Sequence, residues 1–298
     1  MTASVDSLAS PHPAGVGPVL LTGASGKLGR EVATRLFAQG WRLRLTDLVP
    51  FPDDIPDGST FEAADLNDGA ALRRLAQGCR AIVHFGGLVE YGSFEAVLGP
   101  NMRGTYNVFE AARAAGARVV YASSNHVVGY HERPDHRQGR ERPAVAQQPG
   151  SERLDADCTL RPDSWYGLSK AVGELMARLY WDRNGVESVS MRIGSCFAEP
   201  ADARMLATWL SRDDLTRLVV RSVEAPRTGC AIVWGVSRNA VNWWGADDRA
   251  RIGWTPQDSA DAWAGRVQAK GDALAQRFQG GGFCAVDYTL ETPGHRRA

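Results

Sequence analysis

The sequence predicts an α/β fold in which a doubly wound parallel sheet carries a small C-terminal cap. Three observations support this fold class. Apolar runs that fit buried strands alternate with amphipathic segments that fit helices through the first 193 residues. A glycine-rich turn joins the first strand to the first helix. Polar residues directly follow several of the apolar runs, and the carboxyl ends of parallel strands are where such sheets bind ligands.

Composition and charge restrict the class of protein. The chain has 298 residues, of which 44% are hydrophobic and 23% charged, and its formal net charge is zero. These values suit a folded protein of one large or two small domains. No basic run predicts a nucleic-acid partner, and no apolar run predicts a membrane span. The five scattered cysteines predict a reduced, cytoplasmic setting, and we expect neither disulfides nor a metal site.

The chain is predicted to have three parts. Residues 1–17 are rich in Ser, Pro, Ala and Gly and are expected to form a disordered tail. Residues 18–193 are expected to form the sheet domain. An exposed insertion is expected at about 130–162, more as decoration than as a lid over the site. Residues 194–298 are expected to form a small substrate-binding cap.

The elements of the C-terminal part are less regular in the sequence. Residues 187–193 are predicted to be the last strand of the sheet. Helical patterns follow at about 204–210, 213–223 and 259–278, and residues 231–234 have a strand-like composition. The segment is too short for an independent deep core, so we expect these elements to pack on the sheet domain.

The glycine-rich turn follows the first predicted strand in the stretch TGASGKLG. Gly23 permits a tight turn, Gly26 lets the backbone approach a pyrophosphate, and Gly29 lets the next helix pack close to the strand. Lys27 and Leu28 lie at the start of that helix, where free N–H groups favour phosphate. The pattern predicts a dinucleotide site, and the alternative is an ordinary strand-to-helix turn.

Acidic residues follow the next two strands. Asp47 lies 18 residues past the last glycine of the turn, where a carboxylate would accept hydrogen bonds from an adenosine ribose and repel a 2′-phosphate. The sequence therefore predicts NAD rather than NADP, although Arg42 and Arg44 nearby weaken that preference. Asp65 and the adjacent Leu66 are predicted to meet the adenine.

Two glycines and an asparagine are predicted to border the bound ligand. Gly86 and Gly87 end an apolar strand, so a ligand can pass close to the backbone there. His84 within that strand is predicted to be a core histidine rather than a catalyst. The following long helix, expected at about 94–115, should kink near its Gly-Pro pair, and Asn101 beyond the kink should hydrogen-bond into the site.

A phenol and an ammonium lie four residues apart in the stretch DSWYGLSK. Tyr166 and Lys170 would share one helical face, and the charged lysine is expected to lower the pKa of the tyrosine from its usual value of about 10. Ser124 ends a preceding strand and would hold a substrate oxygen beside Tyr166. Asn125 and His126 follow it with further donors or acceptors. Alternatively, the Tyr–Lys pair lies on an ordinary surface helix and the Ser-Asn-His stretch is an ordinary polar turn. Their occurrence together with the glycine turn is poorly explained by chance.

The stretches TGASGKLG, HFGG, ASSNHVVG and YGLSK, in this order, resemble the extended short-chain dehydrogenase/reductase family. The resemblance covers nearly the whole chain after the tail. It implies a Rossmann-type domain, a bound nicotinamide cofactor and a triad of Ser124, Tyr166 and Lys170. In this triad Tyr166 is the acid/base and Lys170 binds the cofactor ribose, and Ile193 joins the cofactor contacts.

Further stretches, among them SNH, RIGSC, RMLATW, VWG and RFQGG, resemble the uronate dehydrogenases of that family. The resemblance implies oxidation of a hexuronic acid, galacturonate or glucuronate, at C1 with NAD to give an aldarolactone. A guanidinium is the natural bidentate partner of the uronate carboxylate. The substrate contacts that it implies are Ser124, Asn125, His126, Tyr166, Ser195 and Arg204. Val89 stands where the family has a serine in contact with the sugar, which puts the tolerated sugar hydroxyls in doubt.

Two other functions remain open at this point. A sugar-nucleotide epimerase or dehydratase of the same superfamily would retain NAD and release no NADH, although the short cap favours a free monosaccharide. A non-catalytic NAD(H)-binding sensor would be expected to lack Tyr166 or Lys170. A homo-oligomer that pairs through its long helices and a role in sugar acid metabolism are expected from the resemblance alone.

Overall fold

The structure is a computed structural model that describes residues 17–89, 92–134 and 153–289. The predicted tail, apart from residue 17, and residues 135–152 of the predicted insertion lie outside the described residues. Within the described ranges, no helix is both long and apolar enough to cross a bilayer.

One parallel sheet forms the centre of the molecule. Its strands are β1 (Val19–Thr22), β2 (Leu43–Asp47), β3 (Thr60–Ala63), β4 (Ala81–His84), β5 (Arg118–Ser124), β6 (Ser188–Ile193) and β7 (Cys230–Gly235). Their order across the sheet is β3-β2-β1-β4-β5-β6-β7. The chain leaves β1 on one side for β2 and returns on the other side for β4, and ligands bind at the strand ends beside such a switch point. The predicted fold class is confirmed.

Helices cover both faces of the sheet. They are α1 (Lys27–Ala38), α2 (Gly69–Ala76), α3 (Phe94–Val97), α4 (Gly104–Ala115), α5 (Trp165–Asn184), α6 (Met205–Thr208), α7 (Arg212–Glu224), α8 (Arg249–Ile252) and α9 (Ala273–Arg277). Successive residues of a strand point to opposite faces. Leu21 therefore packs in the apolar layer under α1 and α7, whereas Leu20 packs in the layer under α2, α4 and α5.

The sheet extends further along the chain than the sequence predicts. Strand β6, expected to be the last, pairs in parallel with β7, from Ser188 opposite Cys230 to Ile193 opposite Gly235. Helix α7 is the crossover between the two strands, as parallel pairing requires. The apolar run at residues 231–234 thus belongs to the sheet and not to a separate cap, and the sheet continues past the boundary predicted at residue 193.

A continuous helix predicted over about 259–278 is wrong. This segment contains a short 3-10 turn, Asp261–Trp263, and the short helix α9. Between them Gly265 and Gly271 have φ angles of +79° and +85°. Such left-handed conformations interrupt a right-handed helix, and glycine adopts them at no steric cost.

The predicted kink in the long helix is a π turn. Residues Leu98–Arg103 form this turn between α3 and α4. A π turn adds one residue to a helical repeat and often occurs at functional sites. Here it places Asn101 in the buried interior beside the first turns of α5.

Candidate active site

The glycine turn between β1 and α1 requires glycine for packing at two positions. Gly23 has a φ of +70°, and a Cβ added there would lie 2.5 Å from the backbone nitrogen of Gly86. A Cβ on Gly29 would lie 2.0 Å from the carbonyl oxygen of Gly23. Gly26 has only the Gly23 carbonyl oxygen near it, at 3.3 Å from an added Cβ, so its outer side is open. This cradle fits a pyrophosphate approaching the start of α1, where Lys27 and Leu28 lie.

Asp47 at the end of β2 is held beside that turn. Its carboxylate accepts hydrogen bonds from the backbone N–H of Ser25 at 2.9 Å and of Leu48 at 2.7 Å. Arg44 points elsewhere, because its Nη1 donates to the carbonyl oxygens of Leu75 and, at 3.0 Å, Gln77. The carboxylate position fits a ribose diol, and Arg44 is not oriented to neutralise a 2′-phosphate.

The residues predicted to meet the adenine lie in the loop after β3. Asp65 is exposed, and its Oδ1 accepts from the backbone N–H of Asn67 at 2.8 Å. The Leu66 side chain packs against Gly86 and Gly104, where an added Cβ would approach it to 2.8 Å and 2.7 Å. Leu66 therefore packs between the glycine after β4 and the glycine that begins α4.

Asn101 connects the loop after β4 to helix α5. Its side chain accepts from the Leu88 N–H at 2.7 Å and donates to the Leu88 carbonyl at 2.9 Å and to Ser169 Oγ at 2.9 Å. Gly87 has a φ of +142°, and an added Cβ would lie 2.9 Å from Asn101 Oδ1. Asn101 thus holds the loop after β4 against α5, and Val89 in this loop is 65% exposed.

Ser124 and Tyr166 come together at the end of β5. Both residues are buried, and the Ser124 hydroxyl is close enough to the Tyr166 phenol to lower its pKa. Ser124 Oγ also accepts from the His126 backbone N–H at 3.2 Å. Ser164 begins α5 as its N-cap by accepting from the Gly167 N–H at 3.0 Å, which fixes Tyr166 in the first helical turn.

Lys170 lies one helical turn further along the same face of α5. It is buried, and its Nζ lies 5.1 Å from the ring centroid of Tyr121 and 5.7 Å from that of Tyr166. Burial lowers the pKa of Lys170 from its usual value of 10.5 to about 8. The predicted convergence of Ser124, Tyr166 and Lys170 is therefore present in the structure.

The predicted lowering of the tyrosine pKa is wrong for this structure. Burial raises the pKa of Tyr166 to about 12; the nearby Ser124 hydroxyl lowers it, and the charge of Asp163 raises it further. The charged form of each group loses hydration when it is buried, so the same cause shifts the acid and the base in opposite directions. Desolvation outweighs any attraction between the phenolate and Lys170.

The substrate side of the crevice is built from three chain segments. One terminal atom of the Asn125 amide lies 2.9 Å from Gln279 Oε1 and 3.0 Å from Arg204 Nη2, and the other lies 3.1 Å from the Ile193 carbonyl. Arg204 Nε donates to the Gln279 carbonyl at 2.6 Å. Burial lowers the pKa of Arg204 below its usual 12.5, although Asp202 and Asp163 oppose that shift.

Ser195 lies at the end of β6 on the same side. Its Oγ shares a hydrogen bond of 2.8 Å with Thr208 Oγ1, and its N–H donates to the Thr208 carbonyl at 2.7 Å. These bonds join the loop after β6 to the last residue of α6. Arg204 is the N-cap residue of the same helix. Ser195 and Arg204 are thus held in one unit.

His126 is paired with a buried carboxylate that the sequence analysis did not single out. Its Nδ1 lies 2.6 Å from Asp163 Oδ2, and its ring centroid lies 5.8 Å from that of Tyr166 and 4.1 Å from that of Phe283. Asp163 precedes Tyr166 by only three residues, so its proximity to the tyrosine was readable. Gln279 and Phe283 arrive from the far end of the chain, and no local pattern indicated them.

His84 is the core histidine that the sequence predicts. Its Nδ1 lies 2.7 Å from Thr22 Oγ1 and its Nε2 lies 3.1 Å from Thr105 Oγ1. Burial, with a smaller effect from the charge of Lys170, lowers the pKa of His84 to about 3. It remains neutral and joins β1, β4 and α4.

The sequence is similar to a known family and to proteins of known activity. The sequence matches the NAD dependent epimerase/dehydratase family over residues 19–255. A uronate dehydrogenase from Pseudomonas syringae pv. tomato is 41% identical over 272 residues, which cover 90% of this chain and 93% of that protein.

Two solved structures resemble the whole described fold. A glucuronic acid dehydrogenase from Chromohalobacter salexigens has a TM-score of 0.80 and 38% identity, with 90% of this chain and 97% of that chain covered. A uronate dehydrogenase from Agrobacterium tumefaciens, in a tyrosine-to-alanine mutant complexed with NAD, has a TM-score of 0.79 and 39% identity over 90% and 97% of the two chains.

Proposed function

The chain belongs to the NAD dependent epimerase/dehydratase family, and on that premise we propose that it oxidises a hexuronic acid with NAD. The substrate is galacturonate or glucuronate, the oxidised carbon is C1, and the product is an aldarolactone. Relatives that are 38–41% identical along the chain are uronate or glucuronic acid dehydrogenases.

The convergence of Ser124, Tyr166 and Lys170 carries this proposal. It joins a hydroxyl, a phenol and an ammonium at the carboxyl end of β5, beside the switch point of the sheet. A hydroxyl-bearing carbon that is oxidised must lose the hydroxyl proton, and a phenolate that is hydrogen-bonded to the same oxygen site can accept it. A non-catalytic sensor has no need of this arrangement.

NAD fits the residues of the first half of the sheet. Gly23, Gly26, Lys27, Leu28 and Gly29 would hold the pyrophosphate. The ribose and adenine would contact Asp47, Asp65 and Leu66, and the nicotinamide half would contact Gly86, Gly87, Asn101, Lys170 and Ile193. When bound, NAD supplies the acceptor for the hydride that leaves C1.

The protein residues handle the proton. Tyr166 as phenolate removes the proton from the C1 hydroxyl, while Ser124 holds that oxygen by its own hydrogen bond. The positive charge of Lys170 stabilises the phenolate over the short time for which it exists. Because burial raises the pKa of Tyr166 to about 12, the phenolate is a strong base once it forms.

The other half of the crevice would orient the sugar. Arg204 is a half-buried cation, and its Nε is bound to Gln279. Its Nη atoms can address the uronate carboxylate, and a charge-assisted pair of this kind is stronger than a neutral hydrogen bond. Asn125 and Ser195 offer polar groups on either side. Val89 contributes an apolar wall, so the sugar hydroxyl that faces it gains no hydrogen bond there.

A substrate panel tests this function. Purified protein is incubated with NAD and, separately, with galacturonate, glucuronate, a neutral hexose and a UDP-sugar, and NADH formation is followed by absorbance. We expect NADH and a lactone, identified by NMR, only with the uronates. NADH from none of the substrates, with NAD retained tightly after purification, would instead support an epimerase or dehydratase.

We also propose that the protein assembles as a homo-oligomer and acts in the cytoplasm in sugar acid metabolism. Exposed apolar side chains lie on α4 and α5, namely Tyr106, Trp165, Leu175 and Leu179. Exposed apolar side chains on neighbouring helices are a surface that a second copy can cover. Light scattering of the wild-type protein and of Leu179→Glu tests the assembly, and the variant is expected to have the smaller mass.

A further inference from the structure

Asp163 lies in a niche of the fold that only glycine backbones can form. A Cβ added to Gly129 or Gly280 would lie 1.9 Å or 2.0 Å from Asp163 Oδ2, and one added to Gly167 would lie 3.1 Å from Oδ1. These glycines come from the loop after β5, the start of α5 and the C-terminal segment. The carboxylate side chain is fully buried there, so the fold surrounds it on three sides.

The Asp163 carboxylate has two close hydrogen-bond partners in the niche. Oδ2 lies 2.6 Å from His126 Nδ1, and Oδ1 accepts from Ser164 Oγ at 2.8 Å. The Cys284 thiol lies further away, at 3.8 Å from Oδ2. An ionised carboxylate only accepts hydrogen bonds, so His126 must carry a proton on Nδ1. A neutral His126 held in this way presents the lone pair of Nε2.

Nε2 of His126 makes no hydrogen bond with any residue in the described ranges. The ring lies edge-on to Tyr166, with the centroids 5.8 Å apart, and it also packs against Phe283, with the centroids 4.1 Å apart. His126 is therefore held beside the proposed base. One ring nitrogen is bound to Asp163, and the other can bind a ligand.

We propose that Asp163 is a positioning residue that sets the tautomer of His126, so that neutral His126 accepts a hydrogen bond from a sugar hydroxyl. This inference rests on the proposed function, because the hydroxyl belongs to the uronate. An Nε2 lone pair accepts from a hydroxyl but repels a carboxylate, so the uronate carboxylate is directed to Arg204. Asp163 thus selects the orientation in which the sugar lies against Tyr166.

The tautomer can be measured directly in the protein without substrate. In ¹⁵N-histidine-labelled protein, the His126 signals are assigned by their loss in His126→Ala. We expect the neutral imidazole of wild-type His126 to carry its proton on Nδ1, and we expect Asp163→Ala to lose this preference. A wild-type neutral form that carries its proton on Nε2 overturns the proposal. This result does not depend on whether the uronate is the substrate.

A double-mutant cycle separates positioning from support of the fold. We expect Asp163→Ala to lower kcat/KM for the uronate about 10- to 100-fold, the effect of one misplaced hydrogen bond, with the KM for NAD unchanged. In a His126→Ala background the same substitution should change kcat/KM by less than about twofold, because the residues act as one unit. Asp163→Asn keeps an acceptor oxygen and should retain more activity than Asp163→Ala. Equal losses from Asp163→Ala in both backgrounds overturn the proposal.

A matched control comes from a second buried carboxylate. Asp214 accepts from Arg217 Nη2 and Ser237 Oγ, both at 2.7 Å, and shares none of these partners with His126. Asp214→Ala should destabilise the fold, and any effect on kcat/KM should be additive with that of His126→Ala. If wild-type protein oxidises neither uronate, the proposed function fails, while the tautomer measurement still decides the role of Asp163.

Discussion

At the scale of single residues, burial moves the pKa values of Tyr166 and Lys170 in opposite directions. The pKa of Tyr166 rises to about 12 and that of Lys170 falls to about 8. Proton removal needs the phenolate and the charged ammonium together. At pH 7 the phenolate fraction for such a pKa is about one in 10⁵, so Tyr166 is protonated in nearly all molecules.

This pair predicts the shape of the pH profile. Below pH 8 Lys170 is charged, and the fraction with ionised Tyr166 grows tenfold per pH unit, so log kcat/KM for the uronate should rise with a slope near one. Above about pH 8 each gain in phenolate is offset by loss of the lysine proton, and the profile should become flat. In Lys170→Met the change of slope near pH 8 should be absent, and log kcat/KM should continue to rise with pH. A flat profile below pH 8 would contradict this assignment.

Asp47 predicts the choice between the two nicotinamide cofactors. Asp47→Ala removes the acceptor for a ribose diol and the charge that repels a 2′-phosphate. We expect kcat/KM for NAD to fall about 10- to 100-fold, while kcat/KM for NADP rises. Asp53→Ala is the control, because Asp53 pairs with Arg30 on the exposed surface. If Asp47→Ala leaves the NAD/NADP ratio unchanged, this carboxylate does not contact the ribose.

At the scale of secondary structure, a buried ion pair fixes α5 to the sheet. Arg192 on β6 donates through Nε and Nη2 to the Glu174 carboxylate on α5 at 2.9 Å and 2.8 Å. Ser123 Oγ donates to Glu174 Oε1 at 2.6 Å. Because Ser123 precedes Ser124, these bonds hold the strand end that carries the serine against the helix that carries Tyr166.

Breaking that pair should be costly. Glu174→Ala leaves the guanidinium of Arg192, which is 1% exposed, without its carboxylate, and we expect the free energy of unfolding to fall by about 3 kcal/mol. Arg178→Ala on the same helix removes only an exposed pair with Asp182 and should change it by less than about 0.5 kcal/mol. Urea unfolding measures both values. Similar losses in the two variants would show that the buried pair has no special role.

At the scale of the whole molecule, the site is closed by residues from the end of the chain. Gln279 donates from its backbone to the His131 carbonyl at 2.9 Å, and Gly280 donates to the Gly129 carbonyl at 3.0 Å. The Gln279 side chain pairs with the Asn125 amide and, through Nε2 at 2.5 Å, with the Asn125 carbonyl. The cofactor half and the substrate half therefore depend on different parts of the chain.

This division predicts a selective effect of Gln279→Ala. Loss of its two bonds frees Asn125 and the neighbouring Arg204, so the KM for the uronate should rise about tenfold, with the Kd for NAD unchanged. Gln276→Ala, three residues earlier on α9, should have no effect on either constant. Steady-state kinetics and NAD titration measure the two quantities. An equal loss of NAD binding in Gln279→Ala would mean that the C-terminal segment supports the whole fold and not the substrate side.

The sequence predicts those features that depend on short stretches of chain. The glycine turn, Asp47, the triad residues and the alternation of strands and helices are each visible within a few residues. The pairings that complete the site join residues far apart in the chain, because Asp163 lies 37 positions after His126 and Gln279 lies 154 positions after Asn125. The raised pKa of Tyr166 could not be foreseen, because it depends on how completely the folded chain excludes water.

The most direct test of the central claim is the rate of NADH formation from NAD and galacturonate or glucuronate in Tyr166→Phe beside the wild-type protein. The account predicts a wild-type rate that falls about 10³-fold in the variant, while the Kd for NAD stays the same because the phenol oxygen alone is lost. A variant that binds NAD normally and oxidises the uronate at the wild-type rate would contradict the assignment of Tyr166 as the base.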